Sequence, residues 1–190
     1  PGQFDWQGDN NLRHFVELCG HAGLYCILRL GPFIGGGYDL GGLPTWVLAL
    51  KDVNLRTASA PYLEACSRFI GAVARQVRDL QAIPPAPDEA TTPRPPGPII
   101  LVQNESGWRC GHDDLARAYL GELNRYLHES GFEVPIINAN DLWSGVEGEV
   151  DCWTGRDRLL MHLRQLAQVR PSQPRLLIEY RTGEPVPWGG

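Results

Sequence analysis

The hydrophobic residues of this chain fall into short apolar runs that alternate with stretches of helical spacing. The apolar runs predict five strands, at residues 24–30, 99–104, 134–138, 150–153 and 175–180. The stretches of helical spacing predict amphipathic helices, near residues 12–20, 61–77, 113–130 and 156–169. Asp9 is the predicted N-cap of the first helix, and a short helix is predicted near residues 45–50.

This alternation is typical of parallel strands with helices packed outside the sheet. Two architectures are compatible with it, an open doubly wound sheet and a (β/α)8 barrel. The glycine triplet at residues 35–37 lacks the spacing and the following helix of a dinucleotide-binding turn, so we interpret it as a flexible loop. The proline-rich stretch at 82–98 is predicted to be an exposed connection within a single domain of residues 1–190.

Composition and charge argue against several classes of function. The chain has 190 residues, of which 43% are hydrophobic, and this suffices for one folded core. The net charge of -5 gives no electrostatic reason to expect nucleic acid as a partner. No apolar run is long enough to predict a membrane span. The five cysteines show neither C-x-x-C nor zinc-ligand spacing, so neither a disulfide framework nor a metal site is predicted.

Polar residues follow the predicted strands at the point where each strand ends. Asn104 and Glu105 come at the end of the second strand. Asn138 ends the third strand, and Glu179 and Tyr180 end the fifth. In either architecture the carboxyl ends of parallel strands form one functional face. A pair of carboxylates there suits glycoside cleavage, in which one acts as acid and the other attacks the sugar or activates water. Aromatic side chains that could stack on a sugar ring are Tyr38, Trp46, Trp108, Trp143, Trp153, Tyr180 and Trp188.

Five motifs follow one another along the chain: FDWQGDNNLRHFVELCGHAGLYCILRLGPFI at 4–34, GGLPTW at 41–46, LRT at 55–57, GPIILVQNESG at 97–107 and LLIEYRTG at 176–183. Together and in this order they resemble glycoside hydrolase family 35, the β-galactosidase family. The fourth motif is similar to the fourth strand of the family barrel, and the fifth motif is similar to its seventh strand. The resemblance covers nearly the whole chain.

The resemblance implies an α/β fold, namely a TIM-type (β/α)8 barrel that is incomplete, with about strands 3 to 7 present. It also implies a retaining double displacement on a β-galactoside or related β-glycoside, with no metal and no organic cofactor. By the same resemblance Glu105 is the acid/base, Glu179 is the nucleophile and Asn104 contacts the sugar 2-hydroxyl. Phe33 stands where the family has a tyrosine, and Gly37 stands where it has a glutamate that grips galactose hydroxyls. The residues predicted to bind substrate are Asn104, Phe33, Tyr38, Asn138, Trp108 and Tyr180.

Five strands of an eight-stranded barrel leave two open sheet edges, so we expect the chain to be part of a longer protein. Its first residues do not match a signal peptide, and the compartment is left undetermined. Two other functions are compatible with the sequence. One is a non-catalytic carbohydrate-binding protein or pseudoenzyme of the same fold, suggested by the altered loop at 35–37. The other is an unrelated α/β enzyme whose strand-end carboxylates act on a different substrate.

Overall fold

The fold is a curled half-barrel of five parallel strands with helices packed on its convex side. The structure is a computed structural model and describes residues 2–35, 37, 39–83, 96–109, 114–140, 142–155 and 158–180. The strands pair in chain order and are β1 Cys26–Gly31, β2 Ile99–Asn104, β3 Ile136–Asn138, β4 Val150–Thr154 and β5 Leu176–Glu179. The helices are α1 Leu12–His21, α2 Ala60–Val77, α3 Asp114–Glu129 and α4 Leu159–Val169.

The sheet is strongly curled, because side chains of its first and last strands meet across the concave face. Strands lie about 4.8 Å apart, so in a flat sheet β1 and β5 would be separated by roughly 19 Å. That gap is wider than an arginine and a glutamate can bridge together. Nevertheless Nη2 of Arg29 on β1 lies 2.9 Å from Oε2 of Glu179 on β5. The incomplete (β/α)8-type barrel predicted from the sequence is therefore confirmed.

The main hydrophobic core lies between the sheet and helices α2 and α3. On α2 the buried side chains recur at helical spacing and include Tyr62, Cys66, Ile70, Val73 and Val77. They belong to one cluster with buried side chains of β2 and α3, among them Ile99, Val102, Leu120, Leu123 and Leu127. Burial of a large apolar side chain contributes roughly 1.5–3 kcal/mol. This packing fixes β2 against the helices, and with it the strand end that carries Glu105.

One predicted helix cap and one predicted helix start differ from the structure. The prediction that Asp9 caps α1 is wrong, because the cap is Asn11, whose Oδ1 accepts a hydrogen bond from the N–H of His14 at 3.0 Å. A capping side chain has to reach the second or third N–H of its own helix, and Asp9 lies in a separate 3-10 turn. Helix α4 begins at Leu159 rather than at 156, since Arg158 has a left-handed φ of 49°.

The two described ends of the proline-rich stretch are hydrogen-bonded to one region of the fold. Its residues 84–95, on which the prediction of an exposed connection falls, lie outside the described residues. At its two ends, the N–H of Ala82 donates to the carbonyl of Ile99 at 2.7 Å, and the N–H of Gly97 donates to the carbonyl of Gln81 at 2.9 Å. The two described ends of the stretch therefore lie next to each other, beside the amino end of β2. None of the helices in the described part of the chain is long and apolar enough to cross a membrane.

Candidate active site

Glu179 lies at the carboxyl end of β5, and its carboxylate faces the concave side of the sheet. Oε2 accepts a hydrogen bond from Nη2 of Arg29 at 2.9 Å, and the side chain is 30% exposed. Arg29 comes from β1, so the ion pair spans the hollow of the half-barrel. A partly exposed carboxylate that is held in place by a guanidinium can still be approached from solvent. These are properties that a carboxylate nucleophile needs.

A chain of hydrogen bonds connects Glu179 with the backbone of the other predicted glutamate. Besides its contact with Glu179, Arg29 donates from Nε to Oε1 of Gln103 at 3.2 Å. Gln103 in turn donates from Nε2 to the main-chain carbonyl of Glu105 at 3.0 Å. The ends of β2 and β5 that carry the two glutamates therefore lie at the same end of the half-barrel, as expected for parallel strands.

The carboxylate of Glu105 is turned towards the helix layer and is fully buried, with 0% exposure. It accepts hydrogen bonds from Nε of Arg56 at 2.7 Å, from the Tyr119 hydroxyl at 3.1 Å and from the N–H of Phe33 at 3.1 Å. Burial raises the pKa of Glu105, because desolvation disfavours the charged form by more than Arg56 and the other donors favour it. The side chain is thus an acid of raised pKa, enclosed in the protein.

The contact between Glu105 and Arg56 is built on unusual backbone geometry. Both residues have a left-handed φ, 54° and 55° respectively. This conformation costs a non-glycine residue about 1–2 kcal/mol, so the surrounding contacts have to hold it. The guanidinium of Arg56 lies 3.8 Å from the centre of the Phe33 ring, and Nη2 donates to the carbonyl of Ser106 at 2.9 Å. These contacts fix Glu105 in its buried orientation.

The two predicted asparagines also face the helix side and meet at a third carboxylate. Nδ2 of Asn104 donates to Oε1 of Glu149 at 2.6 Å, and Nδ2 of Asn138 donates to Oε2 of the same residue at 2.9 Å. Asn138 donates in addition to Oδ1 of Asp151 at 3.0 Å. All four side chains are buried. In this arrangement the amide of Asn104 binds a protein carboxylate rather than facing the hollow of the half-barrel.

The predicted aromatic contacts are distributed over different environments. Trp108 is buried, and its indole N–H donates to the carbonyl of Arg56 at 3.1 Å, so it belongs to the core and offers no open ring face here. Phe33 is half-buried beneath the Arg56 guanidinium. Tyr180 is exposed directly after the candidate nucleophile. Tyr38 lies outside the described residues. Of these rings, Tyr180 is the one that is both exposed and next to Glu179.

A cavity of about 400 Å³ opens beside the carboxyl ends of β3 and β4. Its lining includes Trp143, Trp153 and Thr154, and the ring of Trp153 stacks on a histidine of α4. Thr154 is paired in register with Glu179 of the neighbouring strand, whereas His162 and Gln165 line the cavity from α4, on the helix side of the sheet. A second cavity of about 310 Å³ is more apolar and lies between the N-terminal segment and α2. Volumes of this size are typical of small-molecule sites.

Four residues that shape this site were not identified from the sequence. Arg29 could have been found from the sequence, because a charged residue inside an otherwise apolar strand is costly to bury unless it has a partner of opposite charge. Arg56 lies within the LRT motif, to which the resemblance assigned no role. Tyr119 fitted the apolar stripe of α3 and gave no sign of its hydroxyl contact. Glu149 lies in a loop, and nothing in its sequence neighbourhood distinguishes it from the exposed Glu147.

Comparison with known proteins agrees with the fold and identifies a family that matches the whole chain. The family model described as "Glycosyl hydrolases family 35" matches residues 1–190. The beta-galactosidase of Bos taurus is 29% identical over 199 residues, which cover 100% of this chain and 28% of the relative. The beta-galactosidase of Mus musculus is 30% identical, covering 100% and 29% respectively. The beta-galactosidase of Xanthomonas manihotis is 29% identical, covering 99% and 30%.

The match therefore extends along the whole chain, while the chain spans less than a third of the length of these curated relatives. An unrelated α/β enzyme, the third possibility compatible with the sequence, does not account for this. The chain belongs to the glycosyl hydrolases family 35.

Proposed function

We propose that the intact protein containing this chain is a retaining β-glycoside hydrolase that acts on a β-galactoside or a related terminal β-glycoside. Glu179 is the nucleophile and Glu105 is the acid/base. The observation that carries the proposal is the Glu179 carboxylate, which is held by Arg29 at the carboxyl end of a barrel strand and is 30% exposed on the concave face. Family membership and the names of the relatives support the same reaction class.

In the proposed reaction the two glutamates act in sequence. Glu105 protonates the leaving oxygen while Oε2 or Oε1 of Glu179 attacks the anomeric carbon, which gives a covalent glycosyl-enzyme and releases the alcohol. Ionised Glu105 then takes a proton from water, and the resulting hydroxide displaces Glu179 from the same carbon. Two inversions give net retention. The first step requires Glu105 in its protonated form, since an acid has to carry its proton at the pH at which the enzyme works.

The acid/base role requires Glu105 to change its orientation. Its carboxyl group faces Arg56 and Tyr119 on the helix side, whereas a glycosidic oxygen next to Glu179 would lie on the concave side. The side chain therefore has to leave these two partners when substrate is bound. The left-handed φ of 54° at Glu105 makes the buried backbone conformation costly, which lowers the free energy needed for such a turn.

The proposal is tested by replacing each glutamate in the intact protein and adding azide. With an aryl β-galactoside as substrate, Glu179→Ala should abolish turnover, and azide should restore it by attacking the free face and giving the α-azide. Glu105→Ala should slow the reaction, and azide should intercept the glycosyl-enzyme and give the β-azide. Glu147→Gln, an exposed substitution, is the matched control. Unchanged turnover in Glu179→Ala would refute the assignment.

The buried state of Glu105 favours a second candidate, a non-catalytic carbohydrate-binding protein of the same fold. A carboxylate with 0% exposure and a 2.7 Å ion pair to Arg56 is well satisfied as a structural group. Calorimetry on the intact protein with methyl β-D-galactopyranoside separates the two candidates. Binding together with hydrolysis of the aryl β-galactoside supports the enzyme, whereas binding without any hydrolysis supports the second candidate.

A further inference from the structure

Glu149 is a buried carboxylate on which three separate elements converge. It is 3% exposed and accepts hydrogen bonds from the side-chain amides of Asn104 on β2 at 2.6 Å, Asn124 on α3 at 3.0 Å and Asn138 on β3 at 2.9 Å. We call these four residues the Glu149 node. The loop that carries Glu149 is held by a further hydrogen bond, which Nε2 of Gln173 donates to the main-chain carbonyl of Glu149 at 2.8 Å.

The Glu149 node fixes the ends of two neighbouring strands relative to α3. Asn104 and Asn138 are the last residues of β2 and β3, so one carboxylate holds two adjacent strand ends at fixed positions relative to α3. A buried carboxylate is costly to desolvate, and three amide donors offset that cost only while all three keep their places. Any shift of one strand end therefore leaves a buried group unpaired, at about 1–3 kcal/mol.

We propose that Glu149 is a positioning residue for Glu105. It acts through Asn104, whose side chain it holds and whose main chain leads directly into Glu105. The inference rests on the proposed acid/base role of Glu105. An isosteric change at Glu149 moves the point at which the chain leaves β2, and with it the path along which the Glu105 carboxyl group turns.

Charged side chains next to the Glu149 node affect the pKa of Glu149. Asp151 on β4 shares the amide of Asn138, and Arg170 at the end of α4 pairs with Asp151. Burial raises the pKa of Glu149 to about 7, with the negative charge of Asp151 adding to the shift and the three asparagine amides opposing it. Protonation near neutral pH converts one acceptor oxygen into a donor, which conflicts with the amide N–H groups that face it.

The node is tested directly by NMR on the intact protein labelled with ¹⁵N-asparagine. The side-chain amide signals of Asn104, Asn124 and Asn138 should shift together with pH, with one common midpoint near 7, and should lose this titration in Glu149→Gln. Glu147→Gln, two positions away and exposed, should leave it unchanged. Three amides that titrate independently, or that keep their titration without Glu149, would overturn the inference whether or not the protein hydrolyses glycosides.

Kinetics test the positioning role. In Glu149→Gln the kcat for an aryl β-galactoside should fall by about ten- to a hundredfold while KM changes by less than about twofold, because small displacements of a reacting group act on the chemical step. The matched Glu147→Gln variant should keep both constants. An unchanged kcat in Glu149→Gln overturns the positioning role. Absence of hydrolysis by the unsubstituted protein would instead contradict the proposed function, and the amide titration would still decide whether the node exists.

Discussion

Replacing Arg56 by methionine removes the cation that faces the fully buried carboxylate of Glu105. The two side chains are 2.7 Å apart, with 0% exposure for Glu105 and 24% for Arg56. Methionine keeps most of the aliphatic stem, so the substitution removes charge and hydrogen bonds with little change in packing. The hydroxyl of Tyr119 and the N–H of Phe33 remain as donors to the carboxylate.

Removal of one partner from a buried ion pair costs about 3–5 kcal/mol, because the other charge is left uncompensated. Since two neutral donors remain, we expect the lower end, about 3 kcal/mol at pH 7.5. Without Arg56 the pKa of Glu105 rises further above its ordinary value of 4.5. Below about pH 4.5 the carboxyl group is protonated in both the folded and the unfolded state, so the penalty is absent there. The loss of stability caused by Arg56→Met grows as the pH rises, because Glu105 ionises in the unfolded state at a lower pH than in the folded state.

The assay is urea unfolding of the intact protein and of Arg56→Met at pH 4.5 and pH 7.5. With a slope of about 1–3 kcal/mol per molar urea, the midpoint should fall by about 1–3 M at pH 7.5 and by much less at pH 4.5. The control is the same substitution in a Glu105→Gln background, where no charge is left buried and the cost should shrink. A loss that is independent of pH, or equal in both backgrounds, would refute this account of the ion pair.

Arg29→Met should lower kcat/KM for an aryl β-galactoside by about a hundredfold, since it removes the guanidinium that orients Glu179. The control is Arg13→Met, which breaks a surface ion pair and should leave kcat/KM unchanged. Tyr119→Phe removes one buried donor and should lower the free energy of unfolding by about 1–2 kcal/mol in urea titration; an unchanged midpoint would speak against the contact. The pKa of Glu149 is raised from 4.5 to about 7 on folding, so its contribution to stability falls by about 3 kcal/mol as the pH rises across that interval. The difference in unfolding free energy between the wild type and Glu149→Gln measures this, and a difference that is flat with pH contradicts it.

The sequence alone determined the order and type of the elements and the positions of the two glutamates along them. Apolar runs and helical spacing encode locally which side of each segment is buried, and this is why β2 was predicted at its observed bounds, 99–104. Strand ends follow from the same local signal, so Glu105 and Glu179 could be assigned to one end of a parallel sheet. The motif order identified the family, which the comparison confirmed.

The direction in which the strand-end side chains face, and the contacts that hold them, followed from the three-dimensional fold alone. Glu105 meets Arg56, which lies 49 positions earlier in the chain, and a left-handed φ turns its carboxylate out of the alternation expected for a strand. Arg29 meets Glu179 across 150 positions, and the curl of the sheet brings them together. These contacts depend on distances between segments that are remote in sequence. Local patterns of hydrophobic and polar residues carry no information about such distances, because they indicate which side chains are buried but not which side chains they contact.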